Sequence, residues 1–126
     1  MYTPAITGTG VFTPENTISN AELVKSFNAY VDKFNLEHAG QIKSGDVAPQ
    51  SHSSEEFIVK ASGIHSRYVI DKNGILDPDV MHPLMRQRED DEPSLMAEMA
   101  LDAALKALKA AGKTPASVDA IICAAS

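Results

Sequence analysis

The chain has 126 residues, enough for one ordinary domain but too few for two. Its net charge of −6, from 17 acidic and 11 basic residues, argues against a nucleic-acid-binding surface, which needs a basic patch. The single cysteine, Cys123, excludes a disulfide framework and a multi-cysteine zinc site, and it favours a reducing, cytoplasmic location. The sequence has neither the pattern of a signal peptide nor an apolar run long enough to span a membrane, so a cytosolic protein with no membrane partner is expected.

The first segment, Thr3 to Phe12, is β-branched and glycine-bearing, and it predicts a strand that Pro14 closes. Gly8 and Gly10 follow the start of this strand in the manner of a phosphate-binding loop. The full dinucleotide-binding pattern needs a third glycine where Thr13 stands. The two glycines are therefore interpreted as relieving a tight turn.

The clearest helix is predicted from Ser19 to His38. Ser19 and Glu22 have capping-box spacing, and apolar side chains between positions 23 and 34 recur on one face. Gly40 is a natural stop. Residues 39–52, which follow with little periodicity, are predicted to form an irregular excursion.

A short second helix is predicted from Ser53 to Ser62, with Ser53 and Glu56 as another capping box and Gly63 as its stop. Ser66 to Ile70 is strand-like because it carries β-branched and aromatic residues.

A small hairpin is predicted over Tyr68 to Leu76, because the dipeptide Asn73-Gly74 is a strong two-residue turn signal. Residues 73–92 contain two prolines, with a third directly after them at Pro93, and an acidic run. They are predicted to form an irregular surface excursion.

The second long helix is predicted from Ser94 to Ala111. It is rich in alanine and poor in polar residues, which predicts that neighbours cover most of its faces. Asp119 to Ser126 is continuously apolar, as is typical of a strand inside a sheet. The order of elements predicts an α/β domain. Because a central strand needs further cover, we expect residues 1–126 to be an incomplete portion of a larger domain.

Candidate nucleophiles and metal ligands are few. Cys123 lies in the apolar run rather than at a helix N-terminus, which favours a buried, structural thiol. The histidines have no spacing that places two on one helix face, so no metal site is predicted. His38, His52 and His82 are interpreted as loop or solvated residues, whereas His65 follows a helix stop and is a weak candidate for a groove.

Four segments together resemble one family, the β-ketoacyl-acyl-carrier-protein synthase III enzymes. ITGTGVFTP, from Ile6 to Pro14, is similar to the family's opening strand and turn, and ISNAEL, from Ile18 to Leu23, to the start of its first helix. SEEFIVKASGIHSRYV, from Ser54 to Val69, resembles its short helix and arginine-bearing strand. Residues 97–126 resemble its alanine-rich helix and the strand that follows. The excursions at about 39–52 and 73–92 are longer than in the short bacterial members.

The resemblance implies a thiolase-like layered αβαβα fold, of which this chain supplies the first part of the N-terminal half, in a homodimer. The family transfers an acyl group from acyl-CoA to a cysteine and then to malonyl-acyl-carrier protein with decarboxylation. The expected partners are acyl-CoA, malonyl-acyl-carrier protein and the remainder of the synthase chain, with no tightly bound cofactor. The catalytic cysteine, histidine and asparagine come later in the family, so no catalytic residue is expected in this chain.

The resemblance also implies contacts with the substrate CoA. Phe57 occupies the position of an aromatic residue that stacks on the adenine. Ala61 replaces an arginine that helps to hold CoA in short members, and the adjacent Lys60 could substitute for it. Arg67 matches the second arginine of a Gly-Ile-Arg-x-Arg stretch, in which His65 replaces the first, and is expected to be structural as readily as ligand-binding.

Two alternatives remain open on the sequence. The chain could be a non-catalytic binding or scaffolding subunit of a thiolase-fold assembly. It could instead belong to another thiolase-fold branch, such as the hydroxymethylglutaryl-CoA synthases or the chalcone-type synthases.

Overall fold

A computed structural model describes residues 3–124, and these residues form two compact units. One unit contains residues 14–86, and the other contains residues 87–124 together with residues 3–13. Helices and strands are mixed along the chain, which is consistent with the predicted α/β class. Within residues 3–124, no helix combines the length and apolar character needed to cross a membrane.

The unit of residues 14–86 is built on a two-stranded antiparallel ribbon and one long helix. Ile18 lies opposite Arg67 in the ribbon, and Thr17 lies opposite Tyr68. Ile18 is fully buried together with Val31 of the long helix, whereas Tyr68 is exposed, so the ribbon has one covered face. The elements of this unit are β1 (Asn16–Ser19), α1 (Asn20–Glu37), α2 (Ala39–Ser44), α3 (Glu55–Ser62), β2 (Ser66–Val69) and α4 (Asn73–Leu76).

Helix α1 begins as predicted. The Ser19 hydroxyl accepts a hydrogen bond from the Glu22 amide at 3.2 Å, and the Glu22 carboxylate accepts one from the Ser19 amide at 2.9 Å. The predicted stop at Gly40 is wrong, because α1 ends at Glu37 and the chain restarts as α2. Gly45 then ends α2 in the left-handed conformation with φ 84°, which glycine adopts at little cost. The first part of the predicted excursion is therefore helical.

Helix α3 starts one residue later than the capping pattern predicted. The Ser54 hydroxyl, not that of Ser53, accepts a hydrogen bond from the Phe57 amide at 3.1 Å. The sequence offers two neighbouring serines, Ser53 and Ser54, as possible caps. The backbone of Ser53 is hydrogen-bonded to the side chain of Asn28, which leaves Ser54 as the cap. The predicted stop at Gly63, with φ 70°, is confirmed.

Strand β2 forms as predicted, but the hairpin at Asn73-Gly74 is wrong. Strand β2 pairs with β1, and residues 73–76 form the helical turn α4. The Asp71 carboxylate explains the difference, because it accepts hydrogen bonds from the Asn73 amide at 3.1 Å and the Gly74 amide at 3.2 Å. It also accepts one from the Leu84 amide at 2.5 Å, which ties both ends of the segment together. These bonds, led by that from Leu84, lower the pKa of Asp71.

The second unit contains α5 (Leu95–Ala110) and a 3₁₀ turn (Pro115–Ser117). Ser94 caps α5 by accepting a hydrogen bond from the Ala97 amide at 3.2 Å, so the predicted helix is confirmed. Its predicted coverage is wrong for this chain, since none of its described side chains is buried. Its exposed large apolar side chains are Met96, Leu101 and Leu105.

The strands predicted at the two ends of the chain do not form within residues 3–124. Residues 3–12 and 119–124 have no ladder hydrogen bonds, and positions 125–126 of the second prediction lie outside the described residues. Ile122 is 96% exposed, whereas a central strand would bury it. A strand needs a hydrogen-bonded neighbour as well as β propensity, and no described segment of this unit supplies one.

Gly8 and Gly10 serve a purpose that the sequence did not predict. Neither has a positive φ, so the interpretation as a tight turn is wrong. A Cβ atom on Gly10 would meet Ala103 O and lie 2.6 Å from Ala107 N, and one on Gly8 would lie 2.8 Å from Ala111 N. The two glycines therefore let the segment of residues 3–13 approach the backbone of α5 and its C-terminal end closely.

Candidate functional site

Helix α3 carries two of the predicted site residues on one face. Phe57 and Lys60 are three residues apart, a spacing that brings side chains together on a helix surface. Phe57 is 65% exposed, although it is a large aromatic side chain. Lys60 is exposed and has no hydrogen bond or ion pair with the part of the chain that the structure describes. Both side chains are therefore open to a ligand.

Phe57 lines a surface groove together with Phe27 of α1. The remaining lining residues are consecutive and polar: Ser51, His52, Ser53 and Ser54. The groove thus combines two aromatic rings with hydroxyl and imidazole groups. Aromatic side chains with a few polar groups beside them are typical of a small-molecule site.

Residues 50–53, which we call the strap, run along α1 and lead into α3. The Asn28 side chain accepts a hydrogen bond from the Ser53 amide at 2.8 Å and donates one to the Ser53 carbonyl at 3.1 Å. The Asn35 side chain does the same for Gln50, with both bonds at 2.9 Å. Two bidentate amide clamps therefore hold the strap, although residues 50–52 lie in the predicted irregular excursion.

Between the two clamps, His52 Nε2 lies 2.7 Å from the Asp32 carboxylate, and both side chains are more than half exposed. Asn28, Asp32 and Asn35 are spaced four and three residues apart, so they form one polar stripe on α1. The interpretation of His52 as a loop or solvated residue is confirmed, since it lies outside helix and strand and is exposed, but its bond to Asp32 was not predicted. The stripe was the available signal, but nothing in the sequence shows what it binds.

Arg67 has a structural partner. Its Nη2 donates to Asn20 Oδ1 at 3.1 Å. Asn20 is 3% exposed, and it also donates from Nδ2 to Ile64 O at 2.7 Å and from its amide to His65 O at 3.2 Å. Among residues 3–124, Arg67 Nη1 is buried without a hydrogen-bond partner. The contacts of Arg67 thus lie around the start of α1.

Acidic groups dominate the electrostatics near the groove. Glu55 and Glu56 occupy the first turn of α3, where the helix dipole favours negative charge. Hydrogen bonds from its own amide and from the Ser54 hydroxyl lower the pKa of Glu56. The groove end of α3 is therefore poorly suited to phosphate, whereas Lys60 in the last turn offers a cation.

Farther along the unit, Lys72 and Ser19 lower the pKa of Glu22 to about 2.

Neither a nucleophile nor a metal site is assembled in the described part of the chain. Cys123 is exposed, so its predicted burial is wrong for this chain, and it lies in a segment without helix or strand. Residues 3–124 contain no group of three or more histidine, cysteine, aspartate or glutamate side chains placed to hold a metal ion.

Comparison with known proteins identifies the family. The chain is 46% identical to a β-ketodecanoyl-acyl-carrier-protein synthase of Pseudomonas aeruginosa over 103 residues, which are 82% of this chain and 29% of that protein. It is 30% identical to a β-ketoacyl-acyl-carrier-protein synthase III of Caulobacter vibrioides over 119 residues, 94% of this chain and 23% of that protein. No protein-family model matches the chain.

The chain belongs to the β-ketoacyl-acyl-carrier-protein synthase III-like proteins, as an N-terminal part of one, and the family predicted from its motifs is confirmed. It spans less than a third of the length of either relative.

Proposed function

We propose that this chain is part of a condensing acyltransferase of fatty acid synthesis. The whole protein would join an acyl group from acyl-CoA to malonyl-acyl-carrier protein and release carbon dioxide. The observation that carries this proposal is the 46% identity to a β-ketodecanoyl-acyl-carrier-protein synthase over 82% of the chain. The match to a β-ketoacyl-acyl-carrier-protein synthase III supports the same reaction class.

The proposal includes the layered αβαβα fold, a homodimer and a cytoplasmic location. The bare α5 helix and the exposed apolar residues Ile121 and Ile122 fit this architecture, since a layered fold would bury them between sheets. The relatives are more than three times as long as the matched segment. We propose that the remainder of a synthase chain packs against α5 and these apolar residues.

The catalytic residues of the proposed reaction are assigned to the part of the protein beyond this chain. Covalent acyl transfer needs a thiolate with an activating base or helix N-terminus beside it. Cys123, the one cysteine of the chain, lies in residues 119–124, where the structure shows no helix. We therefore propose that Cys123 is not the nucleophile.

Within this chain, we propose that Phe57 and Lys60 contribute to binding of acyl-CoA. The exposed ring of Phe57 lines the groove. Lys60 lies on the same side of α3, and its ammonium group has no hydrogen-bond or ion-pair partner in the described part of the chain. Arg67 is proposed to position the β1–β2 ribbon through its hydrogen bond to Asn20.

A condensation assay on the full polypeptide that carries this sequence tests the proposal. The purified protein is mixed with malonyl-acyl-carrier protein and either acetyl-CoA or octanoyl-CoA, and the carrier protein is weighed by mass spectrometry. We expect a β-ketoacyl-carrier-protein product with at least one donor. Octanoyl-CoA is included because the Pseudomonas relative is named for a β-ketodecanoyl product.

Other outcomes distinguish the alternatives. CoA binding without any condensation would replace the proposal with a non-catalytic binding subunit. A hydroxymethylglutaryl or polyketide product would assign the chain to another thiolase-fold branch.

A further inference from the structure

We propose that His52 is a further ligand-binding residue, whose Nδ1 accepts a hydrogen bond from the adenine amino group of CoA when the base lies in the groove beside Phe57. This inference rests on the proposed function, which makes acyl-CoA the donor. It goes beyond that function by naming the residue that recognises the base.

The shape and lining of the groove favour an aromatic base. Phe27 and Phe57 come from two different helices and line the same groove. Aromatic side chains bind nucleobases by stacking, because every base has a π face that can be covered. Ser51 and Ser53 add hydroxyl groups beside the rings.

The charge around the groove favours the base over the phosphates of the same ligand. Asp32 and the first-turn residues Glu55 and Glu56 are acidic. They would repel a phosphate inside the groove, so the uncharged base is assigned to the groove and the ribose 3′-phosphate to the solvent side of it. Lys60 lies one turn along α3 from Phe57, on the face that the phosphates could follow.

The bond to Asp32 defines what His52 can offer. The Asp32 carboxylate is an acceptor, so the 2.7 Å contact places a proton on His52 Nε2. In the neutral ring Nδ1 is then an acceptor, and within residues 3–124 it has no hydrogen-bond partner. The adenine amino group is a donor and complements it.

The strap makes this arrangement rigid. The clamps from Asn28 on Ser53 and from Asn35 on Gln50 fix the backbone on both sides of His52. A side chain held in this way loses little freedom when a ligand binds, which favours a recognition role over a solvated one.

Isothermal calorimetry on the full polypeptide, with CoA and with 4′-phosphopantetheine, tests the inference. Phosphopantetheine lacks the adenosine part and should not reach His52. We expect His52→Ala to weaken CoA binding by roughly twofold to tenfold, the range for one lost hydrogen bond, and to leave phosphopantetheine binding unchanged. His52→Asn, which keeps an acceptor near the position of Nδ1, should recover part of the affinity.

His82→Ala is the matched control, because His82 bonds to the Pro83 carbonyl and does not line the groove. Its affinity for both ligands should equal that of the unmodified protein. The inference is overturned if His52→Ala binds CoA normally, or if it loses affinity for both ligands equally, since the latter means a structural role. The condensation assay is independent: its failure refutes the proposed function even where His52→Ala selectively weakens CoA binding.

Discussion

Asn20 joins three parts of the unit of residues 14–86 through one buried side chain. It opens α1, donates to the Ile64 carbonyl after the α3 stop and accepts from Arg67 on β2. Asn20 is 3% exposed, so its own polar groups depend on these partners rather than on solvent. The asparagine of the ISNAEL segment is thus a structural centre of the unit.

Replacing this residue should be costly. Asn20→Ala leaves the Ile64 carbonyl and Arg67 Nη2 without their partner, and we expect the free energy of unfolding to fall by about 2 to 3 kcal/mol. Urea denaturation measures the change. Asn16→Ala is the control, because Asn16 makes one exposed bond, to Ile70 O at 3.1 Å, and its loss should cost less than about 0.5 kcal/mol. Equal losses in the two variants would contradict this role for Asn20.

Glu22 should make stability depend on pH in the acidic range. The hydrogen bond from Lys72, followed by those from the Ser19 amide and hydroxyl, lowers the pKa of Glu22 from 4.5 to about 2. A carboxyl group whose pKa is depressed by folding stabilises the protein above its unfolded pKa, and this contribution is lost as pH falls through the folded pKa.

The melting temperatures of the unmodified protein and Glu22→Gln should therefore differ most at pH 6 to 7 and converge as pH falls from about 4.5 towards 2. Differential scanning fluorimetry at stepped pH measures the difference. A gap between the two proteins that stays constant across this range would mean that the Glu22 charge contributes nothing.

At the scale of elements, the contact between residues 3–13 and α5 depends on the absence of side chains. A Cβ at Gly10 would meet Ala103 O and lie 2.6 Å from Ala107 N, and neither backbone atom can move freely. We expect Gly10→Ala to lower the free energy of unfolding by about 1 to 3 kcal/mol, the usual cost of overpacking.

The matched control is Gly40→Ala in α2, where a Cβ would meet nothing within 4 Å. Alanine favours helix, so this variant should gain about 0.5 to 1 kcal/mol. A Gly10→Ala variant as stable as the unmodified protein would show that residues 3–13 do not lie against α5.

The strap gives a prediction in which each variant controls for the other. Asn28→Ala should speed amide hydrogen exchange at Ser53, and Asn35→Ala should speed it at Gln50, each by roughly twofold to tenfold for one lost hydrogen bond. The amide held by the other clamp should change little. Exchange that is fast at both amides before any substitution would refute the strap.

The sequence predicted the elements whose causes are local. The Ser19 and Glu22 capping box, the Gly63 stop and the Ser94 cap each depend on residues within one turn, and all three form. The hairpin at Asn73-Gly74 does not form, because the Asp71 carboxylate accepts hydrogen bonds from both of these amides and so stabilises a helical turn over residues 73–76. Local signals thus fail where a nearby side chain competes for the backbone.

The site residues stay a prediction. Phe57 was named because it occupies the place of a family aromatic residue, and Lys60 because it is adjacent to Ala61, where the family has an arginine. The bond of His52 to Asp32 was not predicted, because it joins residues that are twenty apart in sequence and depends on two clamps that no periodicity shows. The same dependence on distant partners explains the strands predicted at 3–12 and 119–126, which need neighbours to form.

For the whole molecule, the central claim is that this chain is one part of a covalent condensing enzyme whose nucleophile lies elsewhere in the protein. The family membership rests on the two relatives, and the described residues offer an exposed Cys123 without an activating helix. The claim is therefore that none of residues 1–126 is the acyl-accepting nucleophile.

The most direct test is peptide mapping by mass spectrometry of the full polypeptide after incubation with acetyl-CoA or octanoyl-CoA and without malonyl-acyl-carrier protein. The account predicts an acyl adduct on a cysteine outside residues 1–126, with Cys123 unmodified. An adduct on Cys123, or no adduct on any peptide with either donor, would contradict it.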